Sequence, residues 1–225
     1  MKANSILLLL LFSLTTFGQS EYVDYSILIE DVINKRSEFN ELYSNSDSSG
    51  KESVIIDARK YLLNTITNNV FPYWYGTKWD FNGTTQTPTQ GYIACGYFVT
   101  NVLTDVGFNI PRIGWAQSAS EVFIKKLSPD CIKRFSNRPI SEVESYLKAT
   151  GEGLYLVGLD SHVGFIVVKS DKIEFIHSNY YRPWIGVMSE DIDSFNPLNN
   201  SNYRVIGKLL SDSMIINWLD NTAYN

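Results

Sequence analysis

The stretch Gly91-Tyr-Ile-Ala-Cys95-Gly-Tyr-Phe-Val-Thr-Asn-Val-Leu-Thr-Asp-Val-Gly107 sets one of only two cysteines in the chain at the head of an apolar run. Phe98, Val99, Val102, Leu103 and Val106 recur at intervals of three and four, which is one face of a helix. Val99, Thr100, Val102, Thr104 and Val106 are β-branched and poor helix formers. Packing on both sides must therefore hold this helix, which predicts a central, buried element. Gly107 stands where a left-handed C-terminal cap is expected, and Gly91 marks the turn before the start. Cys95 then falls in the first turn, where unpaired amides and the helix dipole favour thiolate over thiol. The expectation is a nucleophile with a lowered pKa. Read alone, the same residue also fits a buried structural cysteine or half of a disulfide.

Downstream of this helix the hydrophobic period changes. Residues 154–159, 162–169, 172–177 and 203–210 are strand-like runs, and Lys169-Ser-Asp-Lys172 reads as a hairpin turn. Upstream, residues 26–43 form an amphipathic helix with Leu28, Val32, Phe39 and Leu42/Tyr43 on its buried face. A second helix follows the polar segment 44–51, with Ser49 and Glu52 at capping-box spacing and Val54/Ile55, Ala58, Tyr61/Leu62 and Ile66 as its stripe. Further helices are expected at 116–127, with Ser118 and Glu121 as a second capping box, and at 141–148 after Pro139. Helices first and hairpin-linked strands later indicate an α+β fold with an antiparallel sheet.

Between the second helix and Cys95, residues 71–91 are aromatic and rich in Thr, Gly and Gln, and read as a loop of about 20 residues. Loops of that length in a compact domain usually carry function. Trp79, Asp80 and Gln86 are therefore candidates for one wall of a substrate groove, together with Trp74. The alternative is that the tryptophans anchor the loop to the core.

Both histidines of the chain fall in the 162–177 hairpin, His162 opening one strand and His177 closing the next. With a small bulge allowed, residues equally distant from the turn face each other, so the two rings can be neighbours. A cysteine at a helix start, one imidazole to take its proton and a second group to orient that imidazole are the parts of an activated thiol nucleophile.

The totals narrow the field. Residue Lys2, the apolar run 6–12 and the polar segment 15–19 have the three regions of a secretory signal peptide, cleaved after Gly18 or Gln19. No cysteine follows the cleavage site, so no lipid anchor is expected, and the mature protein is read as a soluble monomer in a secreted or periplasmic location. The chain divides into the signal at 1–19, a helical extension at 20–70 and the main domain at 71–225. A net charge of −5 without any Lys/Arg cluster excludes a nucleic-acid partner. No other window reaches transmembrane length. Two cysteines and two histidines are too few for a Cys-rich metal site, and no metal and no other cofactor is expected. The aromatic share of 14% is high, and some of these rings are expected to line a groove.

Four segments in order, spanning residues 73–190, resemble the NlpC-type cell-wall endopeptidases, which are papain-fold cysteine hydrolases. Tyr73-Trp-Tyr75-Gly76 resembles that family's Tyr-x-Gly-Gly loop, and Cys95 with its helix resembles its Asp-Cys-Ser-Gly helix. Pro111-Arg112 with Gln117 is similar to its Pro-Arg segment, and His162-Val-Gly-Phe-Ile and Phe175-Ile-His177-Ser resemble its two histidine strands. The resemblance implies a papain-like fold in which a nucleophile-bearing helix packs on an antiparallel sheet, with the two N-terminal helices as an extension. It implies Cys95 as nucleophile, His162 as base, His177 as the orienting residue, and Tyr75 near the oxyanion with the Cys95 amide. The implied substrate is a peptide, above all the stem peptide of peptidoglycan.

The chain departs from that pattern at Ala94 and Gly96, where the family has Asp and Ser, and at Gly151-Glu-Gly-Leu154, where it has Gly-Asp-Leu. The loop from Tyr75 to Cys95 is also longer. In the family the acidic residue before the cysteine helps hold the free amine of the wall peptide. Asp80 is the one carboxylate between Tyr75 and Cys95 that can stand in for it. Two other readings remain: an amidase or acyltransferase of the same fold acting on another small amide or lipid, and a non-catalytic envelope binding module with a Cys95–Cys131 disulfide.

Overall fold

The computed structural model describes residues 24–170 and 172–225, so the signal segment expected at 1–19 lies outside the described residues. Helix α1 (Tyr25–Asn45) opens on Asp24, whose carboxylate accepts from the Ser26 amide at 2.9 Å. Helix α2 (Ser48–Thr65) opens on Asp47, which accepts from the Gly50 amide at 2.8 Å. The capping box expected at Ser49 and Glu52 does not form, because Asp47 is the better acceptor and the Ser49 hydroxyl itself donates to it.

The stripe of α2 does not stop at Ile66. A π-helical stretch at Ile66–Val70 carries it into α3 (Phe71–Trp74), so the loop expected from residue 71 begins after Trp74. Leu62, Ile66, Val70, Phe71 and Trp74 are all fully buried along this continuous face. The π stretch stands just before Pro72, whose missing N–H interrupts the α-helical ladder.

Helix α4 (Cys95–Asp105) confirms the expected central helix: Phe98, Val99, Val102 and Leu103, with Val106 just beyond, are completely buried. A short α5 (Arg112–Ala116) and α6 (Ser120–Leu127) replace the single helix expected at 116–127. The chain turns between them, the Ser118 hydroxyl donates to the Trp115 carbonyl instead of capping, and Glu121 pairs with Arg134 and Tyr203. There follow β1 (Ile132–Ser136), α7 (Ile140–Thr150), β2 (Gly153–Leu159), β3 (Val163–Lys169), β4 (Lys172–Asn179), β5 (Gly186–Asp191), α8 (Pro197–Asn200), β6 (Tyr203–Lys208) and α9 (Asp212–Leu219).

Among the described residues six strands form one sheet in the order β1-β6-β2-β3-β4-β5, and every neighbouring pair is antiparallel. The fold is therefore α+β, as the sequence pattern predicts. One face of the sheet packs Leu154, Leu156, Phe165 and Ile176 against α4, and the other packs Tyr155, Ile166, Phe175 and Ile206 against Val143 and Leu147 of α7. Covering both faces explains why β2 and β3 read as continuous apolar runs. Strands β1 and β5 are the two edges, where a single neighbour and a half-exposed surface leave little apolar signal to read.

Helices α1 and α2 share the core of α4: Val32, Phe39, Ala58 and Leu62 belong to the same buried cluster, although Leu42, expected on the buried face, is 56% exposed. Trp218 of α9 packs its ring tilted against that of Phe39, 6.4 Å between centres, and donates its indole N–H to the Val106 carbonyl at 2.7 Å. The N-terminal helices thus brace the far end of α4, away from Cys95. Among the described residues no helix is long and apolar enough to cross a membrane.

Candidate catalytic site at the head of α4

The segment 75–94 delivers Cys95, and both of its sides are clamped. On one side Gly76 donates to the Val187 carbonyl and Val187 to the Thr77 carbonyl, each at 2.9 Å, while the Trp79 amide donates to Pro183 at 3.0 Å. This approach requires glycine at 186, where φ is +74° and a Cβ would stand 1.9 Å from the Thr77 oxygen. On the other side Asn101 of α4 donates to the Thr85 carbonyl at 2.7 Å, and Arg112 reaches both Asn101 and the Thr84 carbonyl. The buried Ser178 hydroxyl donates to the Ile93 carbonyl at 2.7 Å, tying the entry of α4 to β4 one residue past His177. Gly96 has a packing cause as well: a Cβ there would lie 2.2 Å from the Ala116 carbonyl oxygen, so α5 excludes the family's serine.

The histidines meet without a bulge. Phe165 faces Ile176, a register that carries on to set Gly164 against His177, whose Cβ would be 2.9 Å from one built on the glycine. His162, two residues earlier and just before β3, is the diagonal neighbour of His177 on the same face. His162 Nε2 lies 2.8 Å from His177 Nδ1, and His177 Nε2 lies 2.8 Å from Glu190 Oε2 on β5. Glu190 is further held by Asn179 at 3.0 Å and by Arg182 at 3.0 Å. His177 stacks on Phe175 with 4.1 Å between ring centres, which fixes its plane.

The remaining ring nitrogen, His162 Nδ1, is buried and has no hydrogen-bond partner. His162 and Cys95 line the same cleft, and the Cys95 thiol is in hydrogen-bond contact with the Val163 amide, the residue next to His162. Burial pushes the Cys95 thiol up from its ordinary value, with the amides of Val163, Gly96 and Cys95 itself pulling it back in part. The lowered thiol pKa expected from the helix start is thus overridden by desolvation. Burial likewise lowers His162 well below 6.5, helped by His177, and lowers His177 to about 3, helped by Arg182. Glu190 is raised by burial, an effect that Arg182 opposes. Both shifts favour the neutral thiol and the neutral imidazole in the folded protein.

Two cavities flank this pair. One, of about 540 Å³, is bordered by Ser120, Glu121, Asp160 and Tyr203. The other, of about 640 Å³, is walled by Trp79, Phe81, Tyr97 and Tyr180. Trp79 therefore stands where the loop reading expected it. Asp80 does not: it is exposed, borders neither cavity, and its carboxylate accepts from the Asn82 amide at 2.8 Å to close a turn. Gln86 is exposed and also lies outside both cavities. The Tyr75 phenol is directed at Ser189 and Glu174 on the β4–β5 side, away from the cleft. Tyr180 occupies the cleft instead, its ring 5.0 Å from that of His162 and 6.0 Å from that of Trp79, close enough to Cys95 for the two to interact electrostatically.

Glu190, Asn179, Arg182 and Tyr180 escaped the sequence reading. The one available signal was Asn179-Tyr-Tyr-Arg182, a polar and aromatic cluster directly after the second histidine strand. Cys95 and Cys131 are both free thiols and line different cavities, which leaves the alternative disulfide without structural support. Among the described residues no group of three or more His, Cys, Asp or Glu side chains is arranged to hold a metal ion. No family model, curated protein or solved structure matches this chain.

Proposed function

We propose that the protein is a cysteine hydrolase that cleaves an amide bond, with a divergent papain-like, NlpC-like arrangement of Cys95, His162 and His177. One observation carries the reading: a buried imidazole nitrogen, His162 Nδ1, is left without a partner on a ring that lines the same cleft as a cysteine at a helix start, while the other nitrogen of that ring is held by His177. An unpartnered buried polar atom costs free energy, and such costs persist where function uses the atom.

In this reading Cys95 Sγ attacks the amide carbon as the thiol proton passes to His162 Nδ1. The carbonyl π pair moves to oxygen, which the first-turn amides of α4 stabilise. Collapse of the tetrahedral species breaks the C–N bond, and the departing nitrogen takes the proton from Nδ1, leaving a thioester on Cys95. Water then adds to the thioester, gives a proton to Nδ1, and releases the acid as the thiol re-forms. Because burial keeps thiol and imidazole neutral, proton transfer accompanies attack.

The substrate we favour is a peptidoglycan stem peptide or a related γ-glutamyl or D-amino-acid peptide, met outside the cytoplasm. The order of the four sequence segments supports this choice. The aromatic wall of Trp79, Phe81, Tyr97 and Tyr180 supports a second reading, an amidase or acyltransferase acting on a more apolar acyl group. Incubating wild type and Cys95→Ala with soluble stem peptides, and following products by mass, tests the proposal. Cleavage by the wild type alone is expected; cleavage by both, or by neither across stem-peptide and acyl-amide substrates, overturns it.

A further inference from the structure

We infer that Glu190 is a positioning residue that fixes the tautomers of both histidines, so that the free nitrogen of His162, on the ring that lines the same cleft as Cys95, is the one without a proton. The inference rests on the reading of Cys95 and His162 as nucleophile and base.

The argument starts from Asn179, whose orientation is settled by its neighbours. Its Oδ1 accepts from the Tyr181 amide at 2.8 Å and the Arg182 amide at 3.2 Å, so its Nδ2 must be the atom 3.0 Å from Glu190 Oε2. Arg182 forms an ion pair with Oε1 at 3.0 Å. One carboxylate oxygen therefore faces a donor and the other a guanidinium cation, which is the environment of an ionised acceptor. The remaining partner of Oε2 is His177 Nε2 at 2.8 Å, and it must donate as well.

From there the chain has one solution. A neutral His177 protonated on Nε2 has a lone pair on Nδ1, and that lone pair accepts from His162 Nε2, 2.8 Å away. A neutral His162 protonated on Nε2 has its lone pair on Nδ1, the nitrogen without a partner. One carboxylate on an edge strand thus dictates, through two rings, which atom can take the thiol proton. Reversing the direction at Glu190 reverses both rings and puts a proton on His162 Nδ1, where it blocks the base.

The chain has only two histidines, so ring ¹⁵N resonances can be assigned without ambiguity. In the wild type both rings are expected in the Nε2–H form with Nδ1 unprotonated, an outcome that needs no substrate. A proton on His162 Nδ1 overturns the inference. In Glu190→Leu, which removes the acceptor, His162 should switch to the Nδ1–H form, and kcat should fall about 100- to 10,000-fold with KM within about threefold. Glu190→Gln keeps an oxygen that can face Asn179 and His177, and should retain the wild-type tautomers and recover part of the rate. Where the leucine variant does not fold, the wild-type tautomers and the glutamine variant decide. Unchanged tautomers and turnover in Glu190→Leu overturn the inference while leaving the hydrolase reading intact; the expected tautomers in a protein that cleaves no amide do the reverse.

Discussion

Cys95 and Cys131 each border a cavity of similar size, about 640 Å³ and about 670 Å³, and the two surroundings differ in one respect that matters. Around Cys131 most charged groups are occupied: Arg59 pairs with Asp212, Lys208 donates to the Thr150 carbonyl at 3.0 Å, and Glu152 accepts from the Ser170 amide at 2.7 Å. Around Cys95 an imidazole nitrogen is buried and unpartnered, and a relay of two rings and a carboxylate fixes the other end of that ring. A thiol and a volume do not make a site. An acceptor with a fixed lone pair, held by residues whose own partners are fixed, does.

The largest effect expected from breaking this contrast is that of Cys95→Ala. Turnover should fall by about four orders of magnitude or more, because the covalent route is gone, while stability changes by at most about 1–2 kcal/mol. Product analysis with a thermal melt on the same preparation checks both halves.

The acid response of the Cys95 side is the next largest. Both histidines are kept neutral in the folded protein, so below their ordinary value of 6.5 the unfolded chain binds more protons than the folded one. Stability is fully present above pH 6.5 and is lost as pH falls towards the folded value, about 3 for His177. For each histidine kept neutral the loss is about 1.4 kcal/mol per pH unit. Asp105 works the other way: burial beside Tyr25 raises it from 3.8 to about 6, so its contribution is greatest in acid and is lost as pH rises through 6. Tm should therefore fall between pH 7 and pH 5, and fall more steeply in Asp105→Asn. A Tm in that variant that is flat or rises towards acid contradicts the buried neutral pair. The smallest effect is that of Cys131→Ser, which should leave turnover unchanged and Tm within a few degrees.

The Cys95 side of this contrast was legible in the sequence for physical reasons. Helix α4 carries a strong period, and the central strands are apolar because both faces are covered, so fold class and the place of Cys95 at the head of a buried helix followed from pattern alone. His162 and His177 stood out because they are the only two histidines. Glu190 did not, since its role depends on the register of an edge strand whose own pattern is weak, and on an asparagine turned by two amides. The expectation for Tyr75 did not hold, for a related cause. The resemblance placed Tyr75 near the oxyanion, but the turn at Gly76, with φ +84°, sends the loop along β5 and leaves the phenol outside the cleft. The pKa expectation for Cys95 failed because a helix start promises donors and says nothing of burial.

The central claim is that Cys95 and His162 act as nucleophile and base, and acylation read by intact mass tests it most directly. Wild type, His162→Ala and Cys131→Ser are each mixed with a small activated acyl ester at neutral pH, and the modified site is located by peptide mapping. The account predicts one acyl group on Cys95 in the wild type and in Cys131→Ser, none on Cys131, and a rate at Cys95 lowered about 100-fold or more in His162→Ala. Equal acylation of the two cysteines, or acylation of Cys95 that does not depend on His162, would contradict it.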